Sequence, residues 1–155
     1  MTDTIQKGLT SHMPLVRISL LRGKSNDQVR TIADNVHQAL TETFEVPADD
    51  RFQFVDQYEP EDFIYDPGYV GIQRSKDVVF INITFSNWRD TAAKQRLYKR
   101  LAELLSANAG LRPEDVQVIL SPNTREDWSF GNGLASYVKD VKEPQVSFGV
   151  TAKLL

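Results

Sequence analysis

The chain is built twice over. A segment of alternating apolar and polar residues, an amphipathic helical stretch and a second alternating segment occur in that order, and then occur again. Gln53 of the first copy answers Gln117 of the second, an offset of 64 residues. Pro47-Ala-Asp-Asp-Arg-Phe-Gln-Phe likewise answers Pro113-Glu-Asp-Val-Gln-Val. In the first copy Val16, Ile18 and Leu20 alternate with Arg17 and Ser19, which predicts a half-buried strand from Pro14 to Leu21. A proline suits the first place of a strand, where its missing N–H costs least. Ser25-Asn-Asp-Gln28 reads as a capping box. Val29, Ile32, Ala33, Val36, Leu40 and Phe44 then share one helical face. Phe52, Phe54 and Val55 open the second strand.

The second copy runs Val78–Phe85 as a strand, then a helix capped by Asp90 or Thr91 with a Leu97, Leu101, Leu104, Leu105 stripe. Gly110 suits its stop, and a strand follows through Val116, Val118 and Leu120. Strands joined by a helix are parallel, with a right-handed crossover. Two such β-α-β units side by side predict an α/β (α+β) domain with a four-stranded sheet and both helices on one face. The bare face then needs a cover, which a neighbouring subunit supplies. Between the copies, residues 56–76 are irregular, with room for a short hairpin or edge strand near 63–72. A stretch of that length without regular structure is often functional.

The ends fall outside the repeat. Residues 1–13 are polar and aperiodic and lack the apolar core of a secretory signal. They read as an extension or tag outside the fold, Ser-His-Met resembling a vector scar, with the native start at Met13. The domain is expected over residues 14–140 and an arm over 141–155, in which Val146, Phe148 and Val150 alternate. Composition closes several other routes. With no cysteine, disulfides, thiolate zinc sites and cysteine nucleophiles are excluded. His12 and His37 are not spaced as metal ligands, so neither a metal nor a cofactor is expected. A net charge of -3 leaves no footprint for nucleic acid or for an anionic membrane. No stretch approaches the roughly 18 apolar residues of a membrane span, and a cytoplasmic protein is expected.

Several segments carry a family resemblance: Met13-Pro14-Leu-Val-Arg-Ile, Phe44-Glu-Val-Pro-Ala-Asp-Asp50-Arg-Phe-Gln, Gln73-Arg-Ser75, Lys94-Gln-Arg96 and Asp127-Trp-Ser-Phe-Gly131. Together they resemble the tautomerase superfamily, and within it the malonate semialdehyde decarboxylase branch, from Pro14 to about Tyr137. The resemblance implies a homotrimer that uses no cofactor, with a small carboxylate as substrate and an amino-terminal proline as the reacting group. It implies Pro14, Asp50 and Arg89 as catalytic residues and Asn87, Trp128 and Phe130 as substrate-binding ones. Some members carry an Arg-x-Arg pair after the third strand. Here the segment is Ser86-Asn-Trp-Arg89, so Asn87 replaces the first arginine. Trp128 and Phe130 read first as core or interface and second as substrate wall. His37 reads as a helix-edge residue, and Arg74 as structural or surface.

Decarboxylating a 3-oxo acid requires a polarised carbonyl oxygen, a carboxylate held for overlap with the carbonyl π system, and a proton for the enolate. A cationic Pro14 amine, Arg89 and Asp50 supply these parts. A free α-amino group titrates near roughly pH 8, and its neighbours decide its role. An arginine favours a neutral base and an aspartate a cationic acid, so the residues alone leave both open. The expected function is a lyase acting on a 3-oxo acid such as malonate semialdehyde. The alternatives are an enol-keto tautomerase with Pro14 as base, and a hydratase or dehalogenase of 3-haloacrylates. A non-catalytic trimeric binding protein results if Pro14 stays acylated by Met13, because an amide nitrogen has neither a basic lone pair nor a proton to give.

Overall fold

A computed structural model describes residues 13–138, and the duplication is its plan. The order is β1 (Leu15–Leu21), α1 (Asn26–Phe44), β2 (Phe52–Tyr58), β3 (Val79–Ser86), α2 (Thr91–Ala109) and β4 (Val116–Asn123). The strands form one sheet in the order β2-β1-β3-β4. Within each copy the two strands are parallel, and the copies join antiparallel through β1 and β3. The register repeats with the sequence: Val16 faces Gln53 in the first copy, and Phe80 faces Gln117 in the second. This is the α+β architecture expected. Pro14 stands just before β1 rather than within it, and is buried.

Helix α1 starts where the capping box put it. Ser25 Oγ accepts from the Gln28 N–H at 3.2 Å, and the Gln28 side chain accepts from the Ser25 N–H at 2.9 Å. Asp90, rather than Thr91, caps α2, accepting from the Ala93 N–H at 2.8 Å. Both helices lay their apolar stripes on one sheet face. Val16, Ile18, Leu20, Ile81, Ile83 and Phe85 meet Ile32, Val36, Leu40, Leu97, Leu101 and Leu105 there, all essentially inaccessible. Asn35 and Asn108 tie the helices together by a side-chain hydrogen bond of 2.7 Å, and Arg100 pairs with Glu42 across them.

The opposite face is open. One row across all four strands reads Phe54, Arg17, Asn82, Ile119. Phe52, Phe54 and Ile119 are 51%, 49% and 46% exposed. Arg17 bridges part of this face, 5.6 Å from the Phe54 ring and ion-paired with Asp56 at 3.2 Å.

Residues 59–78 form neither a hairpin nor an edge strand. They make two 3₁₀ turns, Pro60–Asp62 and Tyr69–Gly71. Pro60 and Pro67 have no N–H for a ladder, and the segment's backbone groups find other partners. Asp66 accepts from the Gly68 N–H at 2.8 Å, and Arg74 donates to the carbonyls of Tyr69 and Ile72. Arg74 thus has the structural role expected of it. The stack Tyr58–Phe63–Tyr65 backs the loop, and Tyr65 Oη donates to the Ser75 carbonyl at 3.0 Å.

The described residues divide into two compact units between Thr124 and Arg125. The second opens with a 3₁₀ turn, Arg125–Asp127. There the Ser136 N–H donates to the Trp128 carbonyl and Ser136 Oγ accepts from the Phe130 N–H. The alternating segment expected at residues 145–150 lies outside the described residues. Among the described residues no helix is long and apolar enough to cross a membrane.

Candidate active site

Four chain segments converge at one end of the sheet. Leu15 pairs with Thr84 on β3 and with Phe52 on β2. Continuing both registers by one residue sets Pro14 level with Phe85 on one side and Arg51 on the other. Asp50 therefore lies one residue beyond Pro14's level, and the β3 exit through Ser86 to Arg89 leaves from the same end. The C-terminus of α1 arrives there too, because the Phe44 and Phe85 rings pack edge to face at 5.4 Å.

Asp50 is held by local geometry. Its N–H donates to the Pro47 carbonyl at 3.0 Å, closing the turn after α1, and only 7% of the residue is exposed. The second copy shows what an aspartate at this place does. The Asp115 N–H closes the equivalent turn on the Arg112 carbonyl at 2.9 Å. Its carboxylate takes the Ser75 N–H at 2.6 Å and the Ser75 hydroxyl at 2.7 Å, fastening the chain that leads into β3. Arg112 adds an ion pair at 3.2 Å and ties down the Gln73 carbonyl. Burial pushes the Asp115 carboxyl up, but the Ser75 donors and Arg112 outweigh it and hold it below the usual range. In the register Val78, not Ser75, answers Pro14, so the parallel between the copies extends to the turn that holds the aspartate and not to the proline.

Arg51 is paired with Asp34, whereas Arg89 is the cation that stacks on aromatic rings at this end. Its guanidinium carbon lies 4.6 Å from the Phe44 ring centroid and 3.0 Å from that of Trp88, and Nη2 donates to the Phe44 carbonyl. That carbonyl is in the last turn of α1, among those left without an intrahelical donor. Partial burial pushes the Arg89 pKa down to about 10, while Glu45 pulls it up. The group thus stays cationic at neutral pH. A stacked and tethered guanidinium keeps its remaining N–H edge for a carboxylate, in the forked geometry arginine favours.

The other expected residues divide. Asn87 is at the same end, with its N–H fixed to the Asn123 carbonyl at 2.8 Å and its side chain exposed. Trp128 and Phe130 belong to the second unit, where their rings lie 5.6 Å apart and Phe130 meets Tyr137 at 5.2 Å. His37 bonds to the Ala48 carbonyl at 2.9 Å and so pins the connection after α1. Trp88 was not singled out from sequence. Its position next to Arg89 was the signal that could have found it, because an arginine beside an aromatic ring is a stacking pair in waiting.

A family model described as tautomerase enzyme matches residues 50–131, and a second with the same description matches residues 14–72. Probable tautomerase YusQ of Bacillus subtilis (strain 168) is 39% identical over 127 residues, covering 82% of this chain and all of that one. The chain belongs to the tautomerase superfamily. It is an enzyme of that superfamily and has its fold. Two solved tautomerase-fold structures place it further. A malonate semialdehyde decarboxylase solved in wild-type, mutant and inactivated forms is 35% identical, with a TM-score of 0.74 over 79% of this chain and 95% of that one. Another malonate semialdehyde decarboxylase, inhibited by 3-bromopropiolate, is 40% identical, with a TM-score of 0.74 over 79% of this chain and 93% of that one. The tautomerase reading thus resolves toward the decarboxylase branch that the residue motifs resemble.

Proposed function

We propose that this tautomerase-superfamily enzyme is a cofactor-free lyase that decarboxylates a 3-oxo acid such as malonate semialdehyde, with Pro14 as a cationic general acid. One observation carries the reading. Residues matching the decarboxylase branch, Pro14, Asp50 and Arg89, stand at one end of the sheet in a chain 35% and 40% identical to two such decarboxylases.

In this reading Arg89 grips the substrate carboxylate and the Pro14 ammonium hydrogen-bonds the aldehyde oxygen. The bond between the carboxylate carbon and C2 breaks, its electron pair passes into the carbonyl, and carbon dioxide leaves. The resulting enolate takes a proton at carbon and becomes acetaldehyde. Asp50, buried beside the entry to β1, favours the charged amine over the neutral one. Asn87 leaves the anion site with one guanidinium rather than two, which suits a substrate with a single carboxylate. All of this requires a free secondary amine, so the working chain begins at Pro14.

The test compares protein beginning at Pro14 with protein that keeps residues 1–13, each incubated with malonate semialdehyde. Acetaldehyde is expected from the first and not from the second. Absence of acetaldehyde from both sinks the reading. A second reading, an enol-keto tautomerase with Pro14 as base, is favoured by YusQ, whose name is probable tautomerase. Loss of the ultraviolet absorbance of phenylenolpyruvate, without acetaldehyde from the oxo acid, would select it. For assembly, we propose a homotrimer whose open sheet faces cover one another.

A further inference from the structure

The two copies close their helices in the same way but with different residues. In each, the residue after the helix takes the left-handed conformation and the next N–H reaches back into the last turn. Gly110 does this after α2 at φ 66°, and the Leu111 N–H donates to the Leu105 carbonyl at 3.2 Å. Glu45 does it after α1 at φ 55°, and the Val46 N–H reaches the Leu40 carbonyl at 3.5 Å. Glycine adopts this conformation without strain, and a residue with a Cβ does not. The first copy therefore keeps a strained glutamate where the second shows that glycine serves the helix.

The strain falls at the candidate site. Arg89 bonds to the carbonyl of Phe44, the residue immediately before Glu45, and stacks on its ring. Among the described residues no carboxylate forms a direct ion pair with Arg89. Glu45 is the carboxylate whose field reaches it. Of the other charged groups at this end, Asp90 caps α2, Asp50 is buried beyond the level of Pro14, and Lys94 lies 5.9 Å from the Phe85 ring. We propose that Glu45 is a positioning residue for Arg89, holding the guanidinium against the end of α1 so that its free edge faces the substrate carboxylate. The kinetic consequence rests on the role proposed above for Arg89, whereas the positioning itself does not.

Three variants separate this role from that of a plain helix cap. Glu45→Gln keeps the side-chain length and loses the charge. Glu45→Gly loses the charge and relieves the backbone. Glu45→Asp keeps the charge, and aspartate tolerates the left-handed region better than most residues. In ¹⁵N relaxation of the full chain, with the Arg89 Nε–H assigned by its disappearance in Arg89→Lys, the guanidinium is expected to become more mobile in the Gln and Gly variants and not in Asp. In protein beginning at Pro14, KM for the oxo acid rises about twofold to fivefold in the same two variants, the range for a partly exposed charge pair, while kcat holds. The Gly variant melts about 2–4 °C higher than the parent despite its weaker binding. An unchanged Arg89 signal in the Gln variant overturns the proposal. So does a fall in KM, the result if Glu45 merely repelled the substrate. The relaxation measurement needs no turnover, so it decides even if the decarboxylase reading fails.

Discussion

Asp115 lies 1% exposed between Ser75 and Arg112, and its charge is what the Ser75 N–H, the Ser75 hydroxyl and the guanidinium all address. Its carboxyl is held below the usual range, so the sign of its linkage to folding is fixed. The stabilisation is fully present above the unfolded-state value near roughly 3.9 and is lost as pH falls through the lower folded value. Asp115→Asn keeps the shape and removes the charge. It is expected to lower unfolding free energy at pH 7 by about 1.5–3 kcal/mol, the range for hydrogen bonds to a charged group. In urea unfolding at pH 7, 5 and 3, the gap between parent and variant should hold at the first two and narrow at the third. A gap independent of pH would show that shape rather than charge matters. The sequence made this aspartate visible only as half of an echo, Pro113-Glu-Asp115 against Pro47-Ala-Asp-Asp50. That it binds Ser75, forty residues earlier, follows from pairing β3 with β4, which no local pattern reports. Arg89 was visible as a residue type at a family position. Its stacking between Phe44 and Trp88 was not, because one partner comes from the far end of another helix.

At the scale of elements, what could be read was what is local. The capping box at Ser25, the leucine stripe of α2 and the alternation of β1 and β3 each obey a period of a few residues, and each stands where the period put it. The loop from 59 to 78 was less legible. Its order comes from side chains answering backbone groups, as Asp66, Arg74 and Tyr65 do, and such pairings have no period. The matched helix ends make a prediction that belongs to this scale. Gly110→Ala places a Cβ at φ 66°, where an L residue costs roughly 1–2 kcal/mol. No atom within 4 Å blocks the new methyl, so the penalty is backbone strain alone. Thermal melting of Gly110→Ala should fall by several degrees, opposite in sign to the rise expected for Glu45→Gly. If alanine at 110 leaves the melting temperature unchanged, the two helix ends are not equivalent in energy, whatever their geometry.

At the scale of the whole molecule, the duplication explains both a strength and a deficit. Two β-α-β units joined through β1 and β3 bury one sheet face under two helices that also bond to each other through Asn35 and Asn108. The same arrangement spends both helices on that face and leaves Phe52, Phe54 and Ile119 about half exposed on the other. Phe54 and Ile119 stand on the two edge strands at the ends of one row, and with Phe52 they expose apolar surface of the kind that marks an interface. Closed symmetry lets identical copies cover such surfaces without leaving a new one exposed. Phe54 is the residue to test. It lies on the edge strand, its side chain points away from the intramolecular core, and Arg17 packs against it. Glutamate at position 54 would leave the monomer's own core untouched, and would bring a charge into any face-to-face contact, where desolvation without a partner is costly. Light scattering on a sizing column should give three chain masses for the parent and one for Phe54→Glu, with the far-ultraviolet circular dichroism of the two alike. An unchanged mass for the variant would remove this face from the assembly, and with it the argument that the bare side of the sheet is where subunits meet.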